Sequence, residues 1–113
     1  MKKNLNVYLT DVLRAVADVQ TYTVDVEMDV FFTDRMLQAA VLYKLAVIGE
    51  AVARIPAEMK KSQKSIPWEK IVGMRNVVIH DYSDVDLRVV WEVVKHDLPE
   101  LVQATQKILK ERS

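Results

Sequence analysis

The sequence predicts an all-α fold, an antiparallel bundle of four to five helices. Only two glycines and three prolines occur in 113 residues, and long stretches lack both, so a many-stranded fold would have few residues for its turns. Apolar residues recur at intervals of three and four in separate segments, the pattern of helices that each bury a face. Half the residues are apolar and 28% are charged, the balance of one globular domain spanning 1–113.

In the first segment Leu5, Leu9, Val12, Val16 and Val19 form a stripe, with Asp11, Arg14 and Asp18 off it. This predicts a helix over about residues 4 to 22. Residues 21–32 mix β-branched, acidic and aromatic side chains without a clean period and read as a connection. Thr33 or Asp34 then supplies an N-cap. From Arg35 to Ile55 apolar residues surround nearly the whole helix, which therefore needs more than one partner surface. A central bundle position or a subunit interface would provide it. Pro56 ends or bends that helix, and Lys60-Lys61-Ser62-Gln63-Lys64-Ser65 reads as a basic, solvated loop. Pro67 suits a first helical position and Glu69 a first turn. Ile71, Met74 and Val78 continue an apolar stripe through a shorter third helix, which Tyr82 extends if it is a core residue. Asp86 can cap a last helix in which Leu87, Val90, Trp91, Val94, Leu98, Leu101, Thr105 and Ile108 keep helical spacing, with Pro99 bending it at most.

Sixteen Lys and Arg balance sixteen Asp and Glu, so the bulk field does not attract a polyanion, and contact with nucleic acid must come from a local patch. The lack of cysteine excludes disulfides and thiolate chemistry and fits a reducing, cytoplasmic setting. The stretch from Met1 to Arg14 has no continuous apolar core, unlike a signal peptide. Continuous apolar runs such as 39–43 fall far short of the ~20 residues a bilayer crossing requires, so no membrane span is expected.

The segment Arg75-Asn76-Val77-Val78-Ile79-His80-Asp81-Tyr82 gathers a fixed cation, an amide, an imidazole and a phenol. Arginine grips phosphate oxygens in bidentate fashion, and imidazole can take a proton from a 2′-hydroxyl and return one to a leaving 5′-oxygen. Those are the requirements of metal-free RNA cleavage. A surface arginine beside a helix-end histidine explains the same spacing. In a helix Arg75 and His80 point roughly 140° apart, whereas Asn76 and His80 share a face. Either the helix ends near Ile79 and His80 swings round, or a second copy completes the site across a two-fold axis.

Metal readings fail on spacing. His80-Asp81 lacks the further ligands of a metal phosphohydrolase, and valines stand three residues before both His80 and His96, where a di-iron bundle needs Glu. Asp81, Asp84 and Asp86 have no surrounding loop with a turn glycine and are read as caps and solvated charges. Trp68 and Trp91 are read as core anchors. Tyr82 fits either a core position with a hydroxyl partner or an exposed, modifiable phenol.

Ile48-Gly49-Glu50-Ala51, Ile66-Pro67-Trp68, Ile71-Val72-Gly73-Met74-Arg75-Asn76, His80-Asp81-Tyr82, Val85-Asp86, Val90-Trp91 and Asp97-Leu98-Pro99-Glu100-Leu101 occur in that order. Together they resemble the HepT family of HEPN-domain toxins. The resemblance covers most of the chain and is looser over the first 30 residues. It implies a HEPN helical bundle, a homodimer, and a metal-independent endoribonuclease without a cofactor. The family signature is Arg, a polar residue, three residues, His, one residue, Tyr; here it falls on Arg75, Asn76, His80 and Tyr82. The resemblance also implies a minimal nucleotidyltransferase antitoxin that silences the toxin by transferring AMP to Tyr82. Asp81, Asp84 and Asp86 place negative charge beside the implied phosphate site, which Lys60, Lys61 and Lys64 would have to offset. HEPN domains also serve as non-catalytic nucleotide-binding or interaction modules, the alternative function for this fold.

Overall fold

The computed structural model describes residues 4–112. Met1, Lys2 and Lys3, part of the stretch read for a leader, lie outside them. Seven α-helices follow in order: α1 (Leu5–Thr23), α2 (Met28–Thr33), α3 (Arg35–Ala53), α4 (Ala57–Lys61), α5 (Trp68–His80), α6 (Leu87–Glu92) and α7 (Leu98–Arg112). A 3₁₀ turn at Tyr82–Asp84 follows α5, and a π-helical turn at Val93–Asp97 joins α6 to α7. No strand occurs among the described residues. The helical bundle is as expected.

The first stripe becomes the buried face of α1, where Leu9, Val12, Val16 and Val19 are fully buried. Helix α3 is the central element, packed on one side by α1 and on another by α5. It contributes Val41, Leu45, Ile48 and Val52 to the core. Each such side chain withdrawn from water is worth about 1.5–3 kcal/mol, so this inward face holds the bundle together. The Asp34 carboxylate accepts a hydrogen bond from Leu37 N at 3.0 Å and caps α3, as its position predicts. Lys44 pairs with Asp18 at 2.8 Å, tying α3 to α1. Hydrogen bonding to Asp18 raises the Lys44 ammonium above its ordinary value.

Four local expectations need correction. The stretch read as a connection contains α2, which forms because Phe31 is fully buried with its ring centroid 5.1 Å from that of Trp91. A six-residue helix with one buried side chain has no period to detect. The basic linker is not all loop, because α4 runs through Lys60 and Lys61. Tyr82 does not continue the buried stripe; α5 stops at His80, and Tyr82 is 53% exposed. Finally, no single apolar run is long, yet an 18-residue window of α3 has a mean hydropathy of 1.5 and is long and apolar enough to cross a membrane by length and composition alone, a test that the core helix of a soluble protein also passes. Polar residues such as Gln38 and Lys44 interrupt the runs without lowering the average enough.

Asp86 caps α6 through a 3.0 Å hydrogen bond from Arg88 N. The chain then stays helical to Arg112 by widening at Val93–Asp97, just before Pro99. Proline has no N–H and its ring crowds the carbonyl four residues back, so a wider turn removes the clash without breaking the helix.

Candidate active site

Helix α5 carries three of the four candidate residues, Arg75, Asn76 and His80. Ile71 and Met74 are buried, and Arg75 lies one turn beyond Ile71, so its base shares the face turned toward α3. The two backbones meet there at Gly49. A Cβ on Gly49 would lie 2.5 Å from Arg75 Cβ and 3.1 Å from the Ile71 carbonyl oxygen. Only glycine permits this approach, whereas a Cβ on Gly73 would meet nothing within 4 Å.

The close approach brings Arg75 to Glu50, the next residue on α3. Arg75 Nε stands 3.0 Å from Glu50 Oε2, an ion pair in which the buried N–H is not aimed at the carboxylate. Arg75 Nη1 donates to Asn76 Oδ1 at 2.9 Å. Glu50 Oε1 accepts from Arg54 Nη2 at 3.0 Å, so the carboxylate bridges two arginines. With these contacts in place, 34% of the Arg75 side chain remains exposed. It also lines a recess of about 340 Å³ with Tyr8, Asp11, Val47 and Ile79.

Neither Gly49 nor Glu50 has a role assignable from the sequence. The available signal was a lone glycine inside an otherwise strong helix, a position that commonly marks a close approach.

The structure brings Arg75 and Asn76 together but leaves His80 apart from Arg75. Helical geometry persists through His80, so the two side chains leave the axis roughly 140° apart. His80 is exposed. Tyr82, in the following turn, lines a groove of about 580 Å³ with Arg35, Met36 and Leu42. Outside the core, α3 exposes Met36 (82%) and Tyr43 (65%), while α5 exposes Ile79 (52%). Apolar surface therefore flanks both the Arg75 recess and the Tyr82 groove. Among the described residues, no group of three His, Cys, Asp or Glu side chains is placed to hold a metal ion.

Comparison with known sequences gives this arrangement a family. The profile described as Ribonuclease HepT-like matches residues 12–108. The chain belongs to the HepT-like ribonuclease family. The probable ribonuclease HepT of Thermococcus cleftensis is 36% identical over 110 residues, covering 97% of this chain and 100% of that one. The "Gamma-glutamylcyclotransferase and putative RNase" of Methanocaldococcus jannaschii is 39% identical over 111 residues. It aligns with 98% of this chain, which spans 50% of that longer relative. A solved structure described as a toxin-antitoxin with AMP-PNP superposes with a TM-score of 0.74, covering 95% of this chain and 97% of that one. At 23% identity that likeness shows the HepT-like fold alone.

Proposed function

We propose that this HepT-like chain is a toxin that cleaves RNA without a metal ion, at a cleft formed by two copies of itself. The carrying observation is Arg75, held by Glu50 and Asn76 yet open to a ligand, on the same helix as exposed His80. Arg75 binds the scissile phosphate and stabilises the charge that develops on it. His80 takes the proton from the ribose 2′-hydroxyl as the 2′-oxygen forms its bond to phosphorus. Protonation of the departing 5′-oxygen completes cleavage of the P–O5′ bond. Products are a 2′,3′-cyclic phosphate and a 5′-hydroxyl. Asn76, one helical turn before His80 and bonded to Arg75, orients the pair. The angular divergence within one α5 and the exposed Met36, Tyr43 and Ile79 favour a two-fold assembly in which Arg75 of one copy serves His80 of the other.

Tyr82 is the control point in this reading. Its phenolic oxygen attacks the α-phosphorus of ATP held by a nucleotidyltransferase antitoxin; pyrophosphate departs and the phenolic proton is lost. The resulting phosphodiester adds about one negative charge and the bulk of adenosine two residues from His80. Exposure of Tyr82 and the adjoining groove with Arg35 support access by such a partner.

The test is cleavage of a short RNA in EDTA by the parental chain and by His80→Ala. The parental chain should release cyclic phosphate ends and leave a substrate with 2′-deoxyribose at the cut intact. Removing proton transfer should slow cleavage by on the order of 10²- to 10⁴-fold. Near-parental cleavage by a folded His80→Ala protein would remove His80 from the mechanism. An inert parental chain that still dimerises would favour the binding-module alternative.

A further inference from the structure

A groove of about 680 Å³ lies between the end of α3, α4 and the outward face of α5. Its lining includes Lys60, Lys61 and Lys64, the half-buried Trp68, Glu69 and Asn76. Three cations therefore face one carboxylate in a molecule whose formal net charge is zero. Such a local patch is what nucleic-acid binding by a chain of balanced charge requires.

The groove is built rather than merely charged. Trp68 Nε1 donates to the Gln63 carbonyl at 3.1 Å, which fixes the indole and the turn carrying Lys64. Lys60 Nζ sits 5.9 Å from the centre of the Trp68 ring. Burial lowers the Lys60 ammonium below its ordinary value, so a bound anion would stabilise its charged form. Position along α5 adds direction. Residues 69, 72, 73 and 76 line the groove, and His80 is the next residue on that row, one turn or about 6 Å further along the helix.

We infer that this groove is a binding subsite for single-stranded RNA, in which Lys61 and Lys64 hold phosphates flanking the bond presented to His80. The apolar floor around Trp68 accepts a base or ribose, and Asn76 marks the end nearest the reacting phosphate. Single strands suit it because their bases are free to turn toward an aromatic floor while lysines follow the backbone. The substrate class rests on the ribonuclease reading, but the subsite is read out by binding and stands or falls without turnover.

The experiment measures anisotropy of a fluorescein-labelled single-stranded RNA titrated with the full chain carrying His80→Ala, across a salt series. Lys61→Gln/Lys64→Gln is compared with the charge-matched control Arg14→Gln/Lys95→Gln; all four residues are exposed. Lys60 is retained because it packs against Trp68, and thermal melts verify folding. The groove variant should bind at least tenfold more weakly at low salt. Its slope of log affinity against log salt should flatten by about 1.4, roughly 0.7 for each phosphate that a lysine no longer neutralises. The control should stay within twofold. Equal affinities and slopes for the two variants would overturn the subsite, as would failure of the unsubstituted groove to bind RNA. A groove that captures poly-glutamate through these lysines while RNA binding is indifferent to them would also overturn it, in favour of an acidic protein partner. Parental cleavage is scored separately: no turnover with lysine-dependent binding refutes the ribonuclease reading but keeps the groove. Turnover with lysine-independent binding does the reverse.

Discussion

The two ends of the candidate segment, Arg75 within α5 and His80 to Tyr82 where that helix stops, are held by opposite means. At Arg75 the helix is pressed against α3 through Gly49, and the guanidinium is tied to Glu50 and Asn76. At His80 the helix has left the core: Ile79, His80 and Tyr82 are all exposed, and the chain turns through a 3₁₀ segment. A cation meant to stay in one orientation is built into a helix seam. The groups to which the proposed function gives a substrate, a second copy or a modifying partner stand at a helix end, where side chains can move without disturbing packing.

That contrast can be broken most forcefully at the seam. Gly49→Ala should force α3 and α5 apart, because its Cβ would overlap Arg75 Cβ. Overpacking costs about 1–3 kcal/mol, and the better helix propensity of alanine returns up to about 1. A net destabilisation on the order of 1–2 kcal/mol, read as a fall of several degrees in Tm, should accompany the disappearance of RNA cleavage. Gly73→Ala supplies the internal control, with no change or a gain of up to about 1 kcal/mol. Equal melting of the two variants would show that the seam yields freely.

A smaller effect sharpens the comparison electrostatically. In a double-mutant cycle, Glu50→Ala and Arg75→Ala should couple by about 0.2–1 kcal/mol, the range for a partly exposed ion pair. Glu50→Ala and His80→Ala should be additive within about 0.5 kcal/mol. Coupling of Glu50 to His80 as strong as to Arg75 would mean that the two ends are not mechanically separate.

Smallest of all on stability is Tyr82→Phe. An exposed phenol away from the core should change unfolding free energy by less than about 0.5 kcal/mol and leave cleavage intact. Under the proposed control, the variant escapes silencing by an active cognate nucleotidyltransferase with ATP, while the parental chain gains the mass of AMP. Silencing of Tyr82→Phe as complete as that of the parental chain, with no added mass on the latter, would sink the modification.

Much of the bundle was legible because its long helices advertise themselves. The α1 stripe, the Asp34 and Asp86 caps and the apolar spacing of the last helix are local patterns repeated over many residues. Helix α2 was hidden because Phe31 draws its burial from Trp91, 60 positions along the chain. The candidate site divides the same way. Arg75, Asn76, His80 and Tyr82 are near neighbours in sequence and stand out by residue type. Glu50 and Gly49 belong to another helix, so their tie to Arg75 exists only after packing.

The sequence by itself determined that the chain folds as helices, which face of most of them is buried, and which eight-residue segment is the candidate for phosphate chemistry. Helical periodicity and residue type are properties of neighbours along the chain. Tertiary structure alone decided that α5 stays helical through His80, that Glu50 holds Arg75, and that Tyr82 stands in solvent. It also gathered three lysines and a tryptophan into one groove along the row leading to His80. Each of these depends on how closely two backbones approach and what they exclude from water, and a pattern along one stretch of chain does not encode the distance to another.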